Sequence, residues 1–350
     1  MNVDPADIEF GLNSFGEVAT DDDGRILSDA ETVRLIIEEA ELAESVGVDS
    51  FSVGEHYRAG MVDSANHVIL AAIAGRTSRI RLGTSVTVLS TQDPVRLYAE
   101  SATLDAASDG RAQLIVGRAS SVESFPLFGY DLADYETLFE EKLDLLTRLM
   151  RDQPVTWEGT VRSALDQQIV VPGIEPGSIP TWVGVGGSPQ SVIRAARYGL
   201  PLMLAIIGGH PGRFAPYADL YRRSLHEFGH PELPVGEHSL GLIAPTDEEA
   251  REAHWPLWHR VMTTIGTERG FPAPTPEHYL ADTQGGALFV GAPETVAARI
   301  ADAIRTLGLG RFDLKYDLMH APRALRERTI RLHGTHVIPR VRELLAEGRR

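Results

Sequence analysis

The sequence predicts an α/β protein of the (β/α)₈ TIM-barrel class, with insertions after strands 4 and 7 and a single domain over residues 1–350. Short runs rich in branched apolar residues alternate with longer segments of helical period, the pattern of parallel strands joined by helices. Eight such strands in a chain of 350 residues favour closure into a barrel. An open doubly wound sheet would need a Gly-x-Gly-x-x-Gly turn after its first strand, and the segment 14–17 lacks that motif.

The elements follow from this alternation in chain order. After the first strand, apolar residues recur every three or four positions from Val33 to Ala43, as on one face of a helix. Ser28 or Asp29 can cap the start of that helix, and Gly47 can end it. The same reasoning predicts strands at 8–14, 48–53, 80–89, 112–116, 181–185, 201–207, 239–244 and 312–318, and helices at 29–46, 66–77, 94–107, 135–150, 188–198, 214–228, from 246 onward and at 323–345.

Two stretches interrupt the regular pattern. Between the fourth and fifth strands, residues 120–134 are predicted as a loop and residues 155–171 as a hairpin with its turn at Glu158-Gly159. After the seventh strand, residues 266–286 contain three prolines and are predicted as a long mobile loop. Loops of this kind in barrels usually cover the active site.

Composition excludes several classes of protein. The chain has no cysteine, which rules out disulfides, thiolate metal sites and a cysteine nucleophile. Its formal net charge of −16 argues against a nucleic-acid surface, and no apolar stretch is long enough for a membrane span. The first ten residues are polar and acidic, so we expect no secretory signal and a cytoplasmic protein.

In a barrel, functional residues lie at the C-terminal ends of the strands. After the fifth strand, Gly186 and Gly187 let backbone amides approach a ligand, while Ser188 can cap a helix and Ser191 lies one turn further on. A helix start with free amides favours an anion, and Arg118 at the end of the fourth strand offers a fork that matches phosphate. A plain helix cap and a surface salt bridge of the arginine remain the alternatives.

At this point the sequence resembles a known family, the luciferase-like flavin-dependent monooxygenases. The resemblance covers roughly residues 8–345, and the order and spacing of its motifs are more specific than any one of them. Those motifs are Gly54-Glu55-His56-Tyr57, residues 83–89, Asp93-Pro94-Val95-Arg96, residues 104–111, Gly117-Arg118, residues 124–129 and residues 290–296.

The resemblance implies a homodimeric barrel that binds reduced flavin mononucleotide (FMN), with the deazaflavin F420 as the alternative. It implies a cis peptide between Ser85 and Val86 behind the flavin ring, and catalytic roles for His56 and its neighbour Glu55. It further implies reaction with O₂ and a small organic substrate, with electrons from a separate NAD(P)H:flavin reductase. The cofactor-binding residues that it implies are Ser85, Val86, Gly117, Arg118, Gly186, Gly187, Ser188, Ser191 and Gly208.

The family pattern is not matched everywhere. Luciferases have a reactive cysteine where this chain has Gly117, which puts light emission in doubt. We expect an apolar insertion around Phe125, Leu127 and Phe128 to shape the substrate side.

Two other functions are compatible with single features of the sequence. Lys315, within the predicted eighth strand, could form a Schiff base as in aldolases, although an ion pair with Asp313 or Asp317 explains it equally well. A non-catalytic flavin-binding protein is a further alternative. The segment His226 to His230 matches the zinc motif His-Glu-x-x-His, but Gly229 should end the helix before the second histidine, so we predict no metal site.

Overall fold

Parallel strand pairing closes the central sheet of the computed structural model into a barrel. The structure describes residues 4–118, 122–174 and 179–348. Their strands are β1 Glu9–Ser14, β2 Ser50–Val53, β3 Arg81–Val88, β4 Ala112–Gly117, β5 Val155–Trp157, β6 Leu165–Gln168, β7 Thr181–Val185, β8 Leu202–Ala205, β9 Val235–Ile243, β10 Leu288–Gly291 and β11 Arg311–Lys315. Within these residues, eight parallel strands form a closed ring in the order β1-β2-β3-β4-β7-β8-β9-β11, which confirms the predicted barrel.

Helices connect the strands and cover the outside of the ring. They are α1 Asp29–Ser45, α2 Asn66–Ala74, α3 Pro94–Ala107, α4 Ser124–Phe128, α5 Tyr135–Arg151, α6 Pro189–Arg197, α7 Ala215–Glu227, α8 Asp247–Arg269, α9 Pro276–Gly285, α10 Pro293–Leu307, α11 Arg323–Leu332 and α12 Ile338–Glu347. Outward-facing strand residues such as Phe10, Phe51 and Leu114 are fully buried against them. None of the helices among the described residues is long and apolar enough to cross a membrane.

Local signals fix the ends of the first helix as predicted. Ser28 caps α1 through a capping box, in which its hydroxyl accepts from the Glu31 backbone and the Glu31 carboxylate accepts from the Ser28 backbone. Gly47, just after the helix, has a φ of +83°, a conformation that glycine adopts without steric cost. The turn therefore directs the chain back into β2.

Charged side chains fill the N-terminal end of the barrel. Arg311 forms two hydrogen bonds of 2.8 Å with Asp313, one of 2.6 Å with Gln113 and an ion pair of 3.1 Å with Glu9. A Cβ at Gly11 would lie 2.3 Å from Asp313 Oδ1, so the missing side chain makes room for this cluster. The cluster is the floor of the barrel, and the opposite end holds the candidate site.

Both predicted insertions are present. The insertion after β4 contains α4, α5 and the antiparallel pair β5–β6, and the one after β9 contains α8, α9, β10 and α10. The hairpin connection is longer than predicted, since it covers residues 158–164. The prediction of a loop at 120–134 is wrong where the structure describes helical segments. These are α4, whose Phe125 is fully buried, and a 3₁₀ turn at Leu132–Asp134. Residues 120 and 121 lie outside the described chain.

The prediction of a long mobile loop at residues 266–286 is wrong. Residues up to Arg269 belong to α8, and most of the remainder forms α9. Arg299 donates hydrogen bonds of 2.6 Å to the carbonyls of Thr283 and Gly286, so it caps the end of α9 and holds it beside α10. The sequence pattern also missed β10, which has only four residues, and the helix α10 that follows it.

Most element boundaries differ from prediction by one to three residues, and three differences affect the barrel or its last helix. β9 begins at Val235, four residues early, and so brings His238 into the barrel wall. β11 ends at Lys315, three residues before the predicted end, and beyond it the Asp317 carboxylate accepts the backbone amides of Phe15 and Glu17. The predicted last helix is continued through a π-helical turn at His333–Val337 between α11 and α12.

Candidate active site

The end of β4 and the start of α6 meet at the rim, as the phosphate-site prediction requires. Arg118 Nη2 donates a 2.8 Å hydrogen bond to Ser191 Oγ. Ser188 is the N-cap of α6 and accepts from the Ser191 amide at 3.4 Å. Arg118 also forms an ion pair with Glu136, and its guanidinium carbon lies 5.1 Å from the centre of the Tyr135 ring. The helix cap and the salt bridge, the two simpler interpretations, are therefore both present beside the arrangement that could bind an anion.

The glycines around this corner leave backbone accessible. A Cβ built on Gly186 or Gly208 would meet no heavy atom within 4 Å, so both backbones border open space. Gly187 has a φ of +106°, which L-residues with a side chain rarely adopt. A ligand can thus approach the main chain at the start of α6 without displacing side chains.

Val86 forms the inner wall between β3 and its neighbours. The peptide bond from Ser85 to Val86 is cis, as the resemblance implies. A Cβ on Gly117 would lie 3.0 Å from Val86 Cγ2, and one on Gly184 would lie 2.7 Å from Cγ1. The two glycines therefore make the space that Val86 fills, and a cysteine at position 117 would require Val86 to shift by a few tenths of an ångström.

Asn13 supports the same wall from β1. Its side chain is fully buried and donates from Nδ2 to the Ser85 carbonyl at 3.3 Å. Among the described residues, Oδ1 of Asn13 is one of the buried atoms with no hydrogen-bond partner. An unpaired buried acceptor is costly unless something uses it, so this oxygen marks a position where a ligand donor would be stabilised.

His56 is held by Asp63. The Asp63 carboxylate lies 2.7 Å from Nδ1 and also accepts the His56 backbone N–H at 3.1 Å. Because a carboxylate only accepts, Nδ1 carries a proton, and Nε2 is the ring nitrogen that Asp63 does not engage. Burial alone would lower the pKa of His56, but the hydrogen bond and charge of Asp63 outweigh it, so that the pKa is raised.

Phe15 links His56 to a second histidine. The Phe15 ring lies 4.7 Å from the His56 ring and stacks on His238 at 5.5 Å with an interplanar angle of 7°. Burial first, and then the charge of Lys315, lower the pKa of His238 to about 3, so its imidazole is neutral. Both of its ring nitrogens are buried without a partner in the described chain. Sequence reasoning missed this residue because β9 was predicted to start at 239.

The carboxylate of Glu55 accepts hydrogen bonds from three groups that surround it. It accepts from the Tyr57 hydroxyl at 2.7 Å, from the Val88 amide at 2.8 Å and from Gln92 Nε2 at 3.1 Å. Burial, its largest influence, raises the pKa of this carboxyl despite those donors. These contacts tie the end of β2 to the end of β3, an arrangement suited to positioning the wall that contains Val86.

Lys315 is held by carboxylates rather than poised as a nucleophile. Its Nζ donates to Glu17 Oε2 at 2.6 Å and lies 3.1 Å from Asp317 Oδ1. Burial would lower the pKa of Lys315, but Asp317 and Glu17 raise it further than burial lowers it. A Schiff base needs a neutral amine, so this environment opposes the aldolase alternative.

The zinc alternative fails on helix geometry. Helix α7 ends at Glu227, and Gly229 then turns the chain with a φ of +75°. His230 lies beyond this turn and contacts the Arg197 carbonyl at 3.1 Å. In the described chain no group of three or more histidine and carboxylate residues has the geometry for a metal ion.

The apolar insertion divides into a buried and an exposed part. Phe125 is fully buried and stacks against Tyr135 at 5.7 Å, so it supports the insertion instead of lining a surface. Leu127 and Phe128 are 63 % and 46 % exposed, and Phe128 packs edge-on against Tyr57 at 5.0 Å. Of the three predicted residues, only Leu127 and Phe128 are therefore exposed on the surface of the insertion.

Comparison with known proteins identifies the family. The sequence profile described as luciferase-like monooxygenase matches residues 8–310, which is most of the chain. This chain belongs to the luciferase-like monooxygenase family. A curated relative, 4-hydroxyprotoasukamycin monooxygenase of Streptomyces nodosus subsp. asukaensis, is 31 % identical over 50 % of this chain and 48 % of its own. The alkanal monooxygenase alpha chain of Photorhabdus luminescens is 26 % identical over 65 % and 62 % of the two chains. The match thus spans about half to two thirds of these relatives.

Solved structures confirm the barrel of this luciferase-like chain. Monooxygenase RslO1 from Streptomyces bottropensis superposes with a TM-score of 0.81 at 24 % identity, over 95 % of this chain and 99 % of that one. The oxygenating constituent of 3,6-diketocamphane monooxygenase from Pseudomonas putida, in complex with FMN, gives 0.75 at 19 % identity over 95 % and 98 %. The F420-dependent tetrahydromethanopterin reductase from Methanopyrus kandleri gives 0.72 at 18 % identity over 95 % and 99 %. At these identities the likeness concerns the fold.

The luciferase-like site gathers most of the residues selected from sequence. Arg118 and Ser191 are in direct contact, and the peptide bond between Ser85 and Val86 is cis. A mononucleotide flavin fits the chemistry of this set, since it presents a phosphate, polar ring edges and a flat apolar face. The open backbone at Gly186 and the orphaned Asn13 Oδ1 are features that such a ligand would use.

Proposed function

We propose that this luciferase-like protein is a monooxygenase that uses reduced FMN and O₂ on a small organic substrate. The observation that supports it best is the contact between Arg118 and Ser191 at the start of α6, where a terminal phosphate would find a cation, a hydroxyl and free amides together. When bound, the reduced flavin supplies the activation of oxygen, chemistry that protein side chains do not perform.

The residues of the chain would then bind, orient and protonate. Arg118, Ser188 and Ser191 would hold the phosphate, together with the backbone amides of Gly187 and Ser188, and Gly186 would leave the main chain open beside them. The wall of Ser85 and Val86, for which Gly117 makes room, orients the ring. Gly208 leaves its backbone open on the same rim.

His56 would act as the acid–base group. Asp63 fixes the proton on Nδ1 and raises the pKa, so Nε2 can hold a proton near neutral pH and give it to a bound ligand. Glu55 acts through position, because its carboxylate is committed to Tyr57, Val88 and Gln92. Leu127 and Phe128 would contact the apolar part of the substrate.

The remaining parts of the proposal concern the source of the electrons and the oligomeric state of the protein. The electrons would come from a separate NAD(P)H:flavin reductase in the cytoplasm, and the protein would work as a homodimer without nucleic-acid or membrane partners. Sedimentation of the purified protein tests the dimer, and reconstitution with a flavin reductase and NADH tests the supply of electrons.

F420 is the second candidate cofactor, since F420-dependent proteins share this fold. An oxidoreductase with F420 would use the same phosphate corner, and a non-catalytic flavin carrier would use it without turnover. Parallel titrations with FMN and F420 distinguish a protein that binds FMN from one that binds F420. Oxygen consumption by the loaded protein separates an enzyme from a carrier.

The deciding experiment is an anaerobic titration of the purified protein with reduced FMN, repeated for Arg118→Ala. We expect the variant to bind about tenfold more weakly or worse, because a charge-assisted contact to phosphate is lost. Arg148→Ala, which removes an exposed arginine paired with Asp144 on α5, is the matched control and should bind as the wild type does. Equal flavin affinity in Arg118→Ala and wild type would refute the proposal, and binding of F420 alone would transfer it to that cofactor.

A further inference from the structure

The carboxylate of Glu136 bridges two arginines at the phosphate corner. Its Oε1 forms an ion pair with Arg118 Nη1, and its Oε2 accepts from Arg194 Nη2 at 2.9 Å. Glu136 is near the start of α5 and its side chain is 63 % exposed, so nothing in the packing holds it there. The two arginines attract it: Arg118 directly follows β4, and Arg194 lies within α6.

Arg194 is a second cation at this corner that the sequence analysis did not select. It lies three residues after Ser191 on α6, and its side chain is only 11 % exposed. Its Nη1 is buried and, within the described chain, has no hydrogen-bond partner, although Glu140 engages its Nε. A guanidinium with an unused donor beside Arg118 is suited to an anion with more oxygens than a carboxylate offers.

We propose that Glu136 competes with the phosphate of the flavin for Arg118 and Arg194, and thereby keeps the flavin exchangeable. The inference rests on the proposed function and adds a role to a residue outside the predicted site. Arg118 Nη1 cannot donate the same hydrogen to a carboxylate and a phosphate, and two anions side by side repel each other. Binding of the phosphate is therefore weakened while Glu136 occupies these donors, and return of Glu136 assists release.

Exchange is a useful property for this chemistry. A flavin that is reduced on a separate protein must arrive reduced and depart oxidised in each cycle. A corner with two arginines and no acid would retain the phosphate, whereas an exposed acid on a flexible side chain limits that retention. The net charge of −16 acts in the same direction over a longer range.

The test compares FMN with riboflavin, which has the same ring and no phosphate, in the wild type and in Glu136→Gln. Fluorescence quenching gives the dissociation constants without any turnover. We expect Glu136→Gln to bind FMN about tenfold more tightly, since both a competing ion pair and a repulsion are removed. Riboflavin affinity should stay unchanged, because riboflavin has no phosphate with which Glu136 could compete.

Glu294→Gln is the matched control. Glu294 is 65 % exposed and paired with Arg340, so the substitution changes net charge and removes an ion pair in the same way at a distant place. FMN affinity that is unchanged or weaker in Glu136→Gln would overturn the inference, and so would an equal gain for riboflavin or for Glu294→Gln. Failure of the wild type to bind FMN would instead overturn the proposed function, and this inference with it.

Discussion

Asp63 accepts two hydrogen bonds from His56, one from ring Nδ1 at 2.7 Å and one from the backbone N–H at 3.1 Å. The carboxylate therefore fixes the ring orientation, its tautomer and its charge at once. A Cβ on Gly54 would lie 2.8 Å from Asp63 Oδ2, so this pair also depends on a glycine at the end of β2.

Asp63→Asn should lower the pKa of His56. Burial is the largest influence on that imidazole, and it lowers the pKa once the Asp63 charge no longer opposes it. NMR titration of the ring should show a pKa above 6.5 in the wild type and below it in the variant. Because the pKa of His56 is higher in the folded than in the unfolded chain, protonated His56 stabilises the fold. This contribution to the free energy of unfolding is fully present below about pH 6.5 and is lost as the pH rises through the folded pKa. An unshifted His56 titration in Asp63→Asn would contradict this assignment.

Gly184→Ala should destabilise the protein by about 1–3 kcal/mol, because the new methyl would overpack Val86. A separation of 2.7 Å from Val86 Cγ1 is too short for a real Cβ, and β7 cannot move without its neighbours. Urea denaturation gives the difference in the free energy of unfolding. The second substitution Val86→Ala in the same chain should recover part of the loss. Gly186→Ala, where the Cβ meets nothing within 4 Å, should leave stability unchanged.

Arg311→Met should cost about 3–5 kcal/mol of stability near neutral pH, since it leaves the fully buried Asp313 carboxylate without its partner. The loss should shrink as the pH falls, because protonation of Asp313 removes the unpaired charge. Denaturation midpoints at several pH values measure both effects. Arg340→Met, which breaks exposed ion pairs with Glu294 and Glu343, is the control and should cost less than about 1 kcal/mol. Equal losses for the two arginines would be incompatible with a charged barrel floor.

His333→Leu should improve acid stability. Burial lowers the pKa of His333 to about 3, and both ring nitrogens lack partners among the described residues. The imidazole stays neutral in the fold and takes up a proton on unfolding, so the wild type loses stability as the pH falls below about 6.5. The free energy of unfolding of the variant, relative to that of the wild type, should therefore be about 2 kcal/mol higher at about pH 5 than at about pH 8. A difference that does not depend on pH would show that His333 is not neutral in the fold.

The sequence predicted the barrel well because alternation of strands and helices is a local signal. The strand ends carry the site, so Arg118 and Ser191 could be placed together although 73 residues separate them. Partners that come from loops or from the interior were not predictable in this way. Asp63 lies in a loop after β2, His238 depends on an earlier start of β9, and Glu136 is one of many acids on a helix.

The same limit applies to Lys315 and to the segment 266–286. Asp313 or Asp317 was expected as a partner of Lys315, and Asp317 is one at 3.1 Å, whereas Asp313 pairs with Arg311. Glu17, which reaches Lys315 from the segment after β1, was not expected. Three prolines suggested a loop at 266–286, yet Pro276 occupies the first turn of α9, where its missing N–H is harmless. Proline position within an element, which decides its effect, depends on where the element begins.

The charged floor formed by Arg311, Asp313 and Glu9 leaves the barrel with a single mouth. Whatever binds deepest has to enter first and leave last, because the fully buried pair of Arg311 and Asp313 fills this end of the described barrel. We therefore expect a compulsory order of addition in steady-state kinetics, in which the ligand nearest the rim blocks dissociation of the one beneath it.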